Sequence, residues 1–290
     1  MRVGRTILSR SAVNDAFGFA SVRHGDSSMI PAAIIETIER ADPSWRPILQ
    51  QGLLAVEAND PAYLQILAAD QYLPTQGRLL AAFAQPLEAI RYVLIGEGPY
   101  PRERSATGVC FMDGAVDQLW SENGLSTSVN RATSLRNFIK MLLVAQGDLQ
   151  VAQTSGVAML SIGQRAQSAS SGWIQTLPEL QMKLTQRGFL LLNAALVFRP
   201  HIASVKEAKA WLPFLQTILN ALAERPGLPP TLVLWGKIAA QVDALQGVQR
   251  FTKAVAEHPY NLSFIGNMAM QQLFGPMHLL LRGSNRFHEG

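Results

Sequence analysis

The stretch "YVLIGEGPYPR" (92–102) joins an apolar run to a turn crowded with Gly96, Gly98, Pro99 and Pro101. A short aliphatic run closed by turn-forming residues reads as a buried strand followed by a loop. Three more runs share this character: "FLLLNAALVF" (189–198), "TLVLWG" (231–236) and, more weakly, "FTKAVAEH" (251–258). Helical patterns lie between them. "ATSLRNFIKMLLVAQ" (132–146) and "VKEAKAWLPFLQTILNALAE" (205–224) carry apolar residues at three and four spacing, each behind an expected Thr/Ser cap. Strands alternating with helices predict an α/β domain with a central four-stranded, mainly parallel sheet flanked by helices. In such sheets ligands bind at the carboxyl ends of the strands. The residues after Ile95, Leu192 and Leu234, and those around His258, are therefore expected along one edge.

The bulk composition agrees with a globular domain. Of the 290 residues, 48% are hydrophobic and 16% charged, enough to fill a sizeable core. No repeat or long Gly/Ser linker argues for a second domain, so residues 41–290 are read as one domain and 1–40 as a partly ordered N-terminal extension. The first 25 residues are rich in Arg and Ser and poor in acids, a composition shared with some organelle import signals. They lack the continuous apolar core of a secretory signal, and a surface extension is the expectation. The single cysteine, Cys110, excludes an intrachain disulfide framework and fits a reducing compartment. No apolar run approaches the ~20 residues of a membrane span. A cytoplasmic protein with no membrane partner is the reading. The formal charge of +4 favours a polyanionic partner without requiring one.

Among phosphate-binding signatures, G-x-G-x-x-G fails at its third glycine, where Pro101 has no N–H to offer. What remains at the strand ends is a scattered polar set, Glu97, Tyr100, Asn193 and His258, with Phe111 and Trp235 nearby. An asparagine amide presents both donor and acceptor, matching the edge of a nucleobase, and a phenylalanine can stack on its face. Each residue also has a plainer reading: Glu97 as a turn carboxylate paired with Arg102 or Arg104, Tyr100 and Phe111 as core, Asn193 as a strand-end cap, and Leu262 as a buried apolar.

The order of several segments resembles the family 1 uracil-DNA glycosylases. "DPSWRPIL" (42–49) resembles the family's Ser-Trp-x-Pro segment, and the turn at 96–101 resembles its G-Q-D-P-Y-H loop. "ATGVCF" (106–111) resembles A-x-G-L-[CS]-F, and "TSLRNF" (133–138) resembles P-S-L-x-N-[IM]. Downstream, "RGFLLLNAAL" (187–196), "LVLWGKIAAQ" (232–241) and "HPYNLS" (258–263) resemble Q-G-V-L-L-L-N-x-x-L, L-L-W-G-x-x-A-Q and H-P-S-P-L-S. The likeness spans about residues 40–280, with an extra stretch near 147–172.

The resemblance implies an enzyme that extrudes uracil from DNA and hydrolyses its N-glycosidic bond, acting as a monomer without metal or cofactor. Asn193 is then expected on the uracil edge and Phe111 on its face, with Tyr100 crowding the place of a thymine methyl. Gly96 and Gly98 line the same pocket. His258 is expected to stabilise charge on the leaving base. Leu262 is expected as a wedge in the minor groove, with Ser134, Ser263 and Pro99 contacting the DNA backbone. The family's aspartate falls on Gly98, its glutamine on Glu97 and its final histidine on Pro101. Catalysis then relies on His258, with Glu97 as a carboxylate acting through a shifted water. The alternatives are a protein that binds uracil or abasic DNA without turnover, and one that keeps the fold with neither property.

Overall fold

The computed structural model describes residues 30–168 and 170–283. The expectation for the first 25 residues therefore lies outside the described residues. In chain order the strands are β1 (Tyr92–Gly96), β2 (Trp120–Ser121), β3 (Gly124–Leu125), β4 (Phe189–Asn193), β5 (Thr231–Trp235) and β6 (Lys253–Ala256). β1, β4, β5 and β6 form one parallel sheet in the order β4-β1-β5-β6, as expected from the four apolar runs. β2 and β3 pair separately as an antiparallel hairpin. The helices are α1 (Ala32–Ile38), α2 (Arg46–Asn59), α3 (Tyr63–Ala69), α4 (Thr127–Arg131), α5 (Thr133–Ala145), α6 (Val157–Gln167), α7 (Leu177–Gln186), α8 (Ser204–Glu224), α9 (Ile238–Asp243) and α10 (Met268–Phe274).

The strands are apolar on both faces because helices cover both. Val93, Ile95, Leu190, Leu192, Leu232 and Leu234 point to one side, where α1, α2, α3, α8 and α9 supply the matching core. Leu94, Phe189, Leu191, Val233 and Trp235 point to the other, against α4, α5, α6, α7 and α10. The period of two along each strand thus divides the interior into two packed layers. A fully buried aliphatic or phenylalanine side chain contributes about 1.5–3 kcal/mol, and the interior of both layers is made of such residues.

Three details differ from what the sequence leads one to expect. The run 189–198 forms a strand only as far as Asn193, although Ala194 to Val197 stay buried. The longest helices are not capped by Thr or Ser: α5 starts behind Ala132 and α8 behind Ala203, neither with a side-chain cap bond. A full capping box occurs instead on α7, between Thr176 and Glu179. Finally, α1 lies within residues 1–40 and buries Ile34 in the same core as α2 and α3. Among the described residues no helix is long and apolar enough to cross a membrane.

Candidate active site

β1 is the switch point of the sheet, since later strands add on either side of it, and a ligand crevice is expected at its carboxyl end. The chain there is held by its neighbour: Gly96 is in register with Asn193, and Ala194 and Ala195 donate to the carbonyls of Gly96 and Glu97 at 2.8 and 3.1 Å. Glycine is needed at 96 because a Cβ would lie 2.5 Å from Cys110 Sγ and 3.1 Å from Asn193 Oδ1. It is needed at 236 for two reasons, a φ of +68° and a Cβ position 2.9 Å from the Cβ of His258. The two glycines let Asn193 and His258 close in on the ends of β1 and β5.

A cavity of about 620 Å³ opens at this edge. Its walls include Glu97, Tyr100, Phe111, Ser134, Asn193 and His258, together with the backbone of Gly96 and Gly98. Trp235 backs the pocket: it is buried, meets Phe111 edge-on with ring centroids 5.2 Å apart, and donates from Nε1 to Met270 Sδ at 3.2 Å. Three residues expected at the site stand outside the cavity. Pro99 lines a smaller hollow of about 280 Å³ on the other side of the turn, with Ala195 and Ile202. Leu262 and Ser263 begin a 3₁₀ turn, Leu262–Gly266, and both are exposed, Leu262 by 70%. Leu262 is therefore not core; Phe264, two residues on, is fully buried.

Asn193 is only 6% exposed, yet its amide makes no hydrogen bond to any described residue. A buried amide is ordinarily satisfied, so its donors and acceptor are available to whatever fills the cavity. Phe111 has a φ of +68°, an uncommon conformation for a non-glycine residue, and two aromatic neighbours, Phe138 and Trp235, brace its ring edge-on. Burial pushes the Tyr100 phenol up, with the nearby Asp113 charge adding to the effect. Burial likewise pushes the Cys110 thiol up to about 12, which leaves it a small apolar wall residue. Arg102 pairs with Asp113 at 3.7 Å, and among the described residues Glu97 has no ion pair, so the salt bridge from Glu97 to Arg102 or Arg104 does not form.

His258 Nδ1 accepts the backbone N–H of Tyr260 at 3.1 Å. An accepting Nδ1 fixes the neutral ring with its proton on Nε2. Burial lowers the His258 pKa from 6.5, and the Glu97 charge partly opposes this. Burial disfavours the imidazolium while a carboxylate stabilises it, so removing the Glu97 charge moves the value further down. Titration of the His258 ring by NMR should give a midpoint below 6.5, and Glu97→Gln should lower it again. A midpoint that rises in the variant would contradict this arrangement.

Asn137, Glu257 and Lys237 are not singled out by sequence reasoning. Asn137, on α5 and 1% exposed, donates from Nδ2 to the carbonyls of Pro259, Tyr260 and Asn261 at 2.7, 3.4 and 3.3 Å. It pins the loop that presents His258. Its position in "TSLRNF" carries the only sequence signal, because a helix interior gives no hint that an Asn faces a distant loop. Glu257 and Lys237 also line the cavity. Glu257 accepts Asn267 Nδ2 at 2.7 Å, and hydrogen bonds from Ser263, its own backbone N–H and Asn267 hold its carboxyl below the usual range against the opposing effect of burial.

The fold and site define a class: a parallel α/β protein, covered on both faces, whose pocket at the strand ends combines an open amide, an aromatic wall and a neutral histidine. No family model matches the chain. It is 37% identical to the wild-type UNG of Nitratifractor salsuginis, a solved structure, over 89% of this chain and 100% of that one, with a TM-score of 0.79. The uracil-DNA glycosylase of Corynebacterium glutamicum is 29% identical over 210 residues, which is 70% of this chain and 74% of that protein. Uracil-DNA glycosylase 2 of Streptomyces avermitilis is 25% identical over 241 residues, 79% of this chain and 87% of that protein. The chain belongs to the uracil-DNA glycosylase superfamily.

Proposed function

We propose that this protein is a DNA-repair glycosylase that takes uracil, or a related damaged base, out of DNA and hydrolyses its N-glycosidic bond to leave an abasic site. The observation that carries the reading is Asn193, a nearly buried amide on the wall of the cavity with no hydrogen-bond partner among the described residues. An amide of this kind pairs with the N–H and C=O of a uracil edge, and a site built to make such bonds discriminates strongly against bases that lack them. Phe111 supplies a face for stacking. Tyr100 narrows the pocket where thymine carries its methyl.

His258, neutral and protonated at Nε2, donates to the base oxygen on which negative charge develops as the bond breaks. Glu97 is close enough to influence His258 and, with Gly98 bare, is the carboxylate of the turn available to steer a water. Ser134 stands in the first turn of α5, where backbone N–H groups and the helix dipole favour a phosphate. Leu262, exposed on its turn, is the wedge that fills the space left by the extruded nucleotide. DNA is the partner, and the chain works as a monomer in the cytoplasm.

Incubation with a uracil-containing oligonucleotide, followed by alkali, tests this directly. Strand cleavage above an Asn193→Ala, His258→Ala double variant is expected, and its absence would reject the reading. Gly98, with no side chain to orient water, favours a second reading, a non-hydrolysing reader of uracil or abasic sites. It predicts salt-sensitive binding to damaged DNA with no product.

A further inference from the structure

We infer that the hollow between α5, the β2–β3 hairpin and α6 is a second phosphate subsite, in which Lys140 and Arg136 hold the DNA backbone about three nucleotides from the extruded one. The inference rests on the glycosylase reading above. The hollow, about 430 Å³, shares no lining residue with the strand-end cavity. Lys140, Asn123, Asn130 and Ser155 supply its polar walls, and no Asp or Glu lines it. Of the acids close in sequence, Glu122 is exposed on the hairpin turn outside the hollow, and Asp148 is paired with Arg165 at 2.7 Å. The far wall belongs to the start of α6, in the stretch that the glycosylase resemblance leaves uncovered. That wall is firmly seated: Met159 and Ile162 are buried, and a Cβ on Gly163 would run into the Ser121 carbonyl and the Gly124 nitrogen.

The charges in this corner are unbalanced. Lys140 is half-buried and makes no ion pair or hydrogen bond among the described residues. Arg136 stands one turn before it on α5, and like charges at that spacing weaken a helix. Burial lowers the Lys140 pKa, and the Arg136 charge adds to the effect. Arg136 spends Nε on Asn137 Oδ1 at 3.4 Å and Nη1 on the Asn130 carbonyl at 3.0 Å, which leaves Nη2 without a partner among the described residues. Two neighbouring cations with no acid between them are a cost to the free protein that a phosphate, accepting from both, removes. DNA is the source of that phosphate because α5 joins the two sites. Ser134, in its first turn, lines the strand-end cavity, and Lys140 lies about 9 Å further along the axis. At about 3.4 Å of axis per nucleotide of one strand, that offset is about three nucleotides.

The test uses the full chain and fluorescently labelled oligonucleotides with one uracil, carrying a flank of one or of about six nucleotides on either side of it. Wild type, Lys140→Gln and Lys140→Arg are compared with a charge-matched control, Lys209→Gln, exposed on α8 over the other face of the sheet. Binding is read by anisotropy across a salt series and turnover by uracil release. Wild type is expected to gain affinity from a long flank on one side. Lys140→Gln should lose that gain, about tenfold at about 50 mM salt and about threefold at about 200 mM, with the salt slope flatter by roughly one phosphate contact. KM should rise more than kcat falls. Lys140→Arg should keep the flank effect, and Lys209→Gln should bind as wild type does. Without DNA the Tm of Lys140→Gln should not fall, because an unpaired, half-buried cation is removed. An equal flank effect and salt slope in wild type and Lys140→Gln overturn the subsite whatever the turnover. Inorganic phosphate that raises the Tm of wild type but not of Lys140→Gln, with no effect of flank length, assigns the hollow to the free ion and overturns it as a DNA contact. A flank effect lost in Lys140→Gln with no uracil released by wild type upholds the subsite and rejects the glycosylase reading instead.

Discussion

Replacing His258 by alanine lowers the rate of uracil release by about 10²–10³-fold, the usual cost of deleting one preorganised donor to a developing oxyanion. The size of the effect follows from how the ring is set. Asn137 holds three successive carbonyls of the 259–261 loop, and the Tyr260 N–H occupies Nδ1, so the Nε2 proton is fixed before substrate arrives. A donor already in place costs no reorganisation when charge moves onto the base. His258 lies two residues beyond β6 and outside both packed layers, so Tm should change little. Single-turnover release with excess protein separates this chemical step from product release. A rate within a few-fold of wild type would mean that the leaving base is stabilised by some other group.

Gly98→Asp raises kcat by roughly 10²-fold, at the low end of what a positioned general base supplies. The substitution fits the backbone. A Cβ at 98 meets Ala195 Cβ and the Ala195 carbonyl at 3.6 Å, which is ordinary contact, and Gly98 does not adopt the left-handed conformation that excludes a side chain. This contrasts with Gly96, where a Cβ collides with Cys110, and with Gly236, where both φ and His258 forbid it. The glycine at 98 is therefore not required by the fold. Gly98→Ala serves as the steric control and should leave kcat near that of wild type. If Gly98→Asp gains nothing, the water is placed from another direction and Glu97 or Glu257 becomes the group to examine.

The sheet was legible because its strands are buried on both faces and so read as unbroken apolar runs such as Leu190–Leu192 and Leu232–Leu234. Helix starts were harder, since packing against the sheet orders α5 and α8 without a side-chain cap. The end of β4 was also hidden: Ala194–Val197 are buried loop residues, and burial alone does not distinguish a strand from a packed loop. At the site, Asn193, Phe111, Tyr100 and His258 were visible as polar and aromatic residues at strand ends. Asn137 was not, because its role depends on a contact across more than a hundred positions of chain. Glu257 was equally silent, an ordinary acid until the chain folds back and places the Asn267 amide against it. The expectation for Pro99 shows the converse limit: neighbours in an extended turn face opposite ways, so Tyr100 enters the cavity while Pro99 lines the hollow behind it.

Binding of damaged DNA is common to an enzyme and a reader, so the decisive observable is the free base. Mass-spectrometric detection of uracil released from a uracil-containing oligonucleotide, with protein in excess, measures bond cleavage without any later strand scission. Free uracil is expected from the wild-type protein and none above background from the Asn193→Ala, His258→Ala variant. Tight binding of that oligonucleotide by wild type with no uracil released would contradict it.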